Sequence, residues 1–120
     1  MSEKFKINIL TPSDITQKKG SIVTIPGEEG ELGILNNHAN MIAKLKSGTI
    51  VIDNTDKMFI SDGFAHMKDN NLSIITDLIE YTLNMSIEEA TKKRDSSTTD
   101  AEYNFYSKLV NMISKCEEDD

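Results

Sequence analysis

The sequence predicts a mainly β protein with a helical end: an antiparallel β-sandwich or flattened barrel over residues 1–84, then a short α-helical hairpin over residues 85–120. Three observations predict it. Apolar residues recur at period two over the first two thirds of the chain, the runs are short and broken by turn-forming residues, and the period becomes helical after about residue 84. Many short strands at near-regular spacing belong to a sandwich or barrel rather than to an open sheet.

The first run alternates Phe5, Ile7 and Ile9 with Lys4, Lys6 and Asn8, one set facing inward and the other facing water. Thr11, Pro12, Ser13 and Asp14 turn the chain. Ile15 to Lys18 makes a second segment that ends at Gly20, and Val23 and Ile25 point a third inward before Pro26 and Gly27 stop it. Met41, Ala43 and Leu45 alternate up to Gly48, Ile50 to Ile52 follow, and Asn54, Thr55 and Asp56 mark a hairpin into Met58 and Ile60. Asp62 and Gly63 turn the chain into Phe64 to Met67. Asp69, Asn70 and Asn71 then precede Leu72, Ile74 and Thr76.

Beyond Asn84, Ser86 and Glu89 have capping-box spacing, so a helix starts there and ends near Arg94, where Ser96, Ser97, Thr98 and Thr99 favour a loop. Thr99 and Glu102 repeat that spacing. Phe105, Leu109, Met112 and Cys116, flanked by Tyr106, Val110 and Ile113, form an apolar stripe that must be covered, most simply by the first helix or the sandwich. Glu117 to Asp120 are all acidic at a helix C-terminus, where the dipole disfavours them, and fraying is expected.

Charge and composition narrow the function classes. The chain has 120 residues, enough for one modest core and an appendage. Its 13 Lys and Arg against 20 Asp and Glu give a net charge of −7, which repels phosphate backbones, so nucleic acid is not expected as a partner. No run reaches the roughly 20 apolar residues of a membrane span, so no direct membrane insertion is expected, nor does the start read as a signal or transit segment. With Cys116 as the single cysteine, an internal disulfide and a cysteine-based zinc site are both excluded, and a reducing cytoplasmic setting fits.

Residues for catalysis are missing. Gly27, Gly30 and Gly33 lack the Lys and Ser/Thr of a phosphate-binding loop, and Glu28, Glu29 and Glu31 would repel a phosphate; the stretch reads as a surface turn. The same carboxylates lack the spacing of a calcium loop. His38 and His66 are the only histidines and no nucleophile-elbow pattern accompanies them, while Cys116 sits on an apolar stripe as a small hydrophobe. No catalytic residue, metal or cofactor is therefore expected. A stand-alone ligand-binding sandwich is the alternative, but with no Trp and three Tyr the chain is poorly equipped for an aromatic-lined site.

From Gly27, Glu28, Glu29, Gly30, Glu31, Leu32, Gly33, Ile34 and Leu35 the chain runs through Asn36, Asn37, His38, Ala39 and Asn40 into Met41, Ile42 and Ala43. This stretch resembles the signature of the epsilon subunit of bacterial F-type ATP synthase, in which Gly-Glu-Leu-Gly-Ile is followed by variable residues, His-Ala-Pro and an apolar strand. Leu45, Lys46, Ser47 and Gly48 resemble the family's Leu-Lys-Pro-Gly, and Ser61, Asp62, Gly63 and Phe64 its Ser-Gly-Gly-Phe. The resemblance implies a sandwich of about ten strands with a helical hairpin, in a non-catalytic rotor subunit of the central stalk. Its partners would be the gamma subunit and the c-ring, with the catalytic beta subunits reached through the C-terminal helices. It would work on the cytoplasmic face of the bacterial inner membrane, coupling proton-driven rotation to ATP synthesis. By position, Glu29 and Glu31 would face the ring, and His38, Ile42 and Ala43 would face gamma.

The departures also carry expectations. Asn36, Asn37 and Asn40 stand where the family has Pro, Gly and Pro, so a less rigid loop is expected, made tolerable by the ease with which Asn adopts left-handed backbone; Asp62 in place of Gly is excused in the same way. Where ATP-binding members have Ile-Asp-x-x-Arg-Ala, this chain has Met85, Ser86, Ile87, Glu88, Glu89 and Ala90, without the Asp or the Arg. No ATP sensing is expected. The acidic last helix and short first helix imply weak or absent inhibition of ATP hydrolysis.

Overall fold

The computed structural model describes residues 3–82 and 85–118, the last three by backbone alone. Asn84, where the sequence changes period, Asp119 and Asp120, and the side chains of Cys116, Glu117 and Glu118 lie outside the described residues. Two compact units divide the chain, Met1–Tyr81 and Thr82–Asp120.

The first unit holds β1 (Phe5–Leu10), β2 (Ile15–Gly20), β3 (Ile22–Gly27), β4 (Gly30–Leu35), β5 (Met41–Leu45), β6 (Gly48–Ile52), β7 (Asp56–Ile60), β8 (Gly63–Lys68), β9 (Asn71–Thr76) and β10 (Ile79–Tyr81). They form one ten-stranded sheet in the order β10-β7-β6-β3-β5-β8-β9-β1-β2, with β4 attached to β3. Strand β3 is where the sheet turns its corner. One edge is occupied along its length by β4, and the other passes from β6 at Val23 and Thr24 to β5 at Gly27, as strands do when they switch between the layers of a sandwich. All pairs are antiparallel except β1 and β9, which run parallel, a correction to the purely antiparallel expectation. Of the stretch from Gly27 to Gly33, expected as a surface turn, Glu28 and Glu29 do form one, while from Gly30 on the chain is strand β4.

The alternation places the core as expected. Phe5, Ile7, Ile9, Val23, Ile25, Leu45, Ile50, Ile52, Met58, Ile60, Leu72 and Ile74 are buried in a single cluster. Among the described residues, Thr76 is the buried polar side chain. Its hydroxyl donates to the Ser61 carbonyl at 3.1 Å and accepts from the Ser61 hydroxyl at 2.8 Å, while Ser61 Oγ accepts the Leu78 amide at 3.0 Å. This knot satisfies every hydroxyl it buries, and it ties the entry of β8 to the exit of β9.

Left-handed backbone falls on Asn and Asp at the turns, where short polar side chains make it affordable. Asn37 (φ 66°), Asp53 (52°), Asn54 (61°), Asp69 (51°) and Asn70 (62°) have it, and Asp69 and Asn70 make the two-residue loop between β8 and β9. Asp62 is not among them, so its replacement of a glycine needs no left-handed tolerance. The Asp53 carboxylate accepts the amides of Ile22 at 3.1 Å and Ser21 at 2.8 Å, and these bonds hold its pKa below the ordinary value. A carboxylate lowered in this way contributes stability above its unfolded pKa and loses it as pH falls through the folded one. Asp53→Asn is therefore expected to flatten acid unfolding below about pH 4. At neutral pH it should cost under about 1 kcal/mol, because water screens the site. Denaturant melts from pH 2 to 7 check both; an unchanged acid slope would remove Asp53 as a source of the pH dependence.

In the second unit, α1 (Ile87–Asp95) begins at Ser86, whose hydroxyl accepts the Glu89 amide at 3.2 Å, and α2 (Asp100–Glu118) begins after Thr99, whose hydroxyl accepts the Glu102 amide at 3.1 Å. Both caps read from the sequence are thus formed. The two helices pack on one another. Ala90, Phe105, Leu109 and Ile113 are buried, and Arg94 lies over the Tyr103 ring at 5.9 Å from its centroid.

Candidate protein-docking surface

The β3–β4 hairpin presents the acidic residues. Gly27 pairs with Gly30, leaving Glu28 and Glu29 as a two-residue turn, and Gly30 has a φ of 138° that side chains rarely adopt. A Cβ on Gly27 would lie 2.6 Å from the Gly30 carbonyl, so the tight turn needs glycine at both ends. The hairpin is held to β5: the Glu28 amide donates to the Lys44 carbonyl at 2.9 Å and the Lys46 amide to the Pro26 carbonyl at 3.0 Å. Lys44 Nζ approaches Glu28 Oε2 at 3.9 Å, but both side chains are well exposed, so the pair adds little.

Between hairpin and strand lies an open groove of about 530 Å³, lined by Gly27, Glu28, Glu29, Gly30, Glu31, Leu32, Ile42, Ala43 and Lys44. Four of the five residues singled out from the sequence therefore meet in one place: Glu29 and Glu31 on one wall, Ile42 and Ala43 on the other. His38 does not line it. In the loop between β4 and β5, the His38 amide donates to the Leu35 carbonyl at 3.1 Å and its Nδ1 lies 2.8 Å from the Ala39 carbonyl. Because a carbonyl only accepts, Nδ1 carries a proton there, and the ring is held against its own loop. No aromatic side chain lines the groove and no group of three or more His, Cys, Asp or Glu among the described residues could hold a metal.

Reasoning from sequence missed the face next to this groove. Register lines up Lys44, Phe64, Ile75, Leu10 and Ile15 across β5, β8, β9, β1 and β2. Phe64 and Ile75 are each 51% exposed, Ile15 64%, and Ile42, two residues from Lys44 on the same face, 74%. Contiguous apolar residues displayed outward on a polar chain mark an interaction surface. The signal was present as adjacent apolar pairs, Ile9–Leu10, Phe64–Ala65 and Ile74–Ile75: in a strand of period two, one member of each pair must face out.

Residues 4–82 match the family model described as "ATP synthase, Delta/Epsilon chain, beta-sandwich domain". The ATP synthase epsilon chain of Pelagibacter ubique is 40% identical over 84 residues, 66% of this chain and 65% of that one. The ATP synthase epsilon chain of Rickettsia prowazekii is 33% identical over 103 residues, 78% of this chain and 90% of that one. Among solved structures, a chain of the Tetrahymena thermophila mitochondrial ATP synthase central stalk and c-ring superposes with a TM-score of 0.61 at 16% identity, covering 96% of this chain and 97% of that one. A chain of the Euglena gracilis mitochondrial ATP synthase superposes with a TM-score of 0.63 at 22% identity, covering 85% and 72%. These two likenesses carry the fold, and the family model and bacterial relatives carry the family: the chain belongs to the ATP synthase epsilon-subunit family.

Proposed function

We propose that the chain is a non-catalytic rotor subunit of a proton-translocating F-type ATP synthase, joining the gamma subunit to the c-ring so that ring rotation reaches the catalytic sites. The observation that carries this reading is the outward apolar row Phe64, Ile75, Leu10 and Ile15, which runs on through Ile42 to the acidic wall of Glu29 and Glu31. Gamma covers the apolar row and the Ile42–Ala43 wall, with His38 at its margin. The acidic hairpin tip meets basic polar loops of the ring. Burial on gamma provides the affinity, since covering a side chain such as Ile or Phe contributes about 1.5–3 kcal/mol, against about 0–1 kcal/mol for an exposed ion pair at the tip. The subunit sits peripherally on the cytoplasmic face of the bacterial inner membrane, held by partners; no described helix is long and apolar enough to cross a membrane.

The helical unit contributes little control in this reading. Its first helix has nine residues, and Glu88 and Glu89 occupy the first turn, an unfavourable place to meet a nucleotide phosphate. It neither senses ATP nor strongly inhibits hydrolysis, and its contact with the catalytic subunits is weak. The test is affinity retention from solubilised membranes of the source organism, using tagged full-length chain and chain ending at Met85. Both should retain gamma and the catalytic subunits, and complexes rebuilt with either should hydrolyse ATP at the same rate. Retention of neither partner would overturn the stalk reading, and a several-fold faster rate with the truncated chain would overturn the view of the helices.

A further inference from the structure

Two loops that are distant in sequence are stitched together by asparagine side chains. Asn70, in the left-handed turn between β8 and β9, uses both ends of its amide. Its Oδ1 accepts the Asn37 backbone amide at 2.6 Å, and its Nδ2 donates to Asn36 Oδ1 at 2.8 Å. A third bond runs alongside, from the Asp69 amide to Asn40 Oδ1 at 3.1 Å. The orientation of the Asn70 amide is settled by its partners, because the Asn37 N–H can only donate. Asn36 is tied further by its Nδ2 to Glu3 Oε2 at 3.4 Å, and Asn71 Nδ2 donates to the Asp69 carbonyl at 3.0 Å within the turn. These bonds bracket His38 and Ala39 on both sides and end one residue before β5, which carries Ile42.

We propose that Asn70 is a positioning residue for gamma docking: through Asn36 and Asn37, and beside the Asp69–Asn40 bond, it fixes the loop of residues 36–40, and with it His38 and the start of the Ile42 strand, in the geometry the partner engages. This rests on the docking surface proposed above. Within the loop, the His38 bonds to the Leu35 and Ala39 carbonyls are local and do not tie it to the turn it faces. Asn70 supplies that tie at Asn36 and Asn37. A pre-ordered loop spares the complex the entropy of ordering it on contact, which is how a side chain that need not touch the partner raises affinity.

The test uses full-length chain in two variants. Asn70→Gly removes both amide bonds yet accepts the φ of 62° without strain, whereas Asn70→Asp keeps an acceptor for the Asn37 amide and also tolerates that backbone. Asn36 can then turn its amide to donate, giving up its 3.4 Å bond to Glu3. Amide hydrogen exchange at Asn37 should quicken roughly tenfold or more in Asn70→Gly with core-strand amides unchanged, and should return toward wild type in Asn70→Asp. Affinity for purified gamma should fall roughly tenfold in the glycine variant and recover in the aspartate variant. Unchanged exchange at Asn37 overturns the clasp. Faster exchange with unchanged gamma affinity overturns its positioning role. If wild-type chain itself does not bind gamma, the docking reading falls and takes the positioning role with it, while Asn37 exchange still reports the clasp.

Discussion

Ile42→Asp should weaken binding to gamma about a hundredfold or more, with Tm lowered by only a few degrees at most. The asymmetry follows from where Ile42 sits. At 74% exposure it holds nothing together in the free chain, and substitutions at such positions usually change stability by no more than about 0.5 kcal/mol. Under a docked partner the same side chain is covered. The variant then forfeits about 1.5–3 kcal/mol of apolar burial and must also strip water from an unpaired carboxylate, so the sum passes the roughly 2.7 kcal/mol that a hundredfold represents. Phe64→Asp, one strand over at 51% exposure, should behave alike, and Lys57→Asp, an exposed change of charge on β7, should leave binding nearly intact. Titration of purified gamma against each folded variant decides. If Ile42→Asp and Phe64→Asp bound like Lys57→Asp, the row would not be the docking face.

The outward row also shows what a sequence can and cannot display. Phe5, Ile7 and Ile9 were legible as core because alternation states which residues share a face, and all three are buried. The two helix caps were legible because capping spans three residues. Features that depend on pairing were not. Leu10, Phe64, Ile75 and Ile15 become a surface only through register between four strands, and the parallel pairing of β1 with β9 joins segments more than sixty positions apart. The turn read over Gly27 to Gly33 holds at Glu28 and Glu29, but Gly30 to Gly33 join a strand: Gly and Glu are poor strand formers, yet β3 offers them a complete edge and pairing overrides the preference. Asp62 was expected to need left-handed backbone by analogy with glycine, whereas the glycine demand lies one residue later. The bonds that Asp69 and Asn70 make to the loop of residues 36–40 have separations of 29 to 34 residues and leave no local pattern at all.

That later residue gives the largest expected loss of stability. Gly63 opens β8 between Leu45 of β5 and Thr76 of β9, in the middle of the sheet. A Cβ there would run into the Ile75 carbonyl oxygen and would lie 3.0 Å from the Ile75 carbonyl carbon and 3.3 Å from Thr76 Cα. All three are backbone atoms, so no side chain can swing away. Relief requires β8 and β9 to separate where the Ser61–Thr76 knot also joins them, so the clash and the loss of buried hydrogen bonds come together. Gly63→Ala should therefore cost about 3 kcal/mol or more, a large part of the roughly 5–15 kcal/mol available to a domain, and lower Tm by roughly 10–20 °C. Gly33→Ala is the matched control: a Cβ there meets nothing within 4 Å, and stability should stay within about 0.5 kcal/mol of wild type. Thermal melts of both variants make the comparison. A Gly63→Ala chain as stable as Gly33→Ala would mean that β8 and β9 can part without cost, contradicting the close approach that places Phe64 and Ile75 side by side on the docking face.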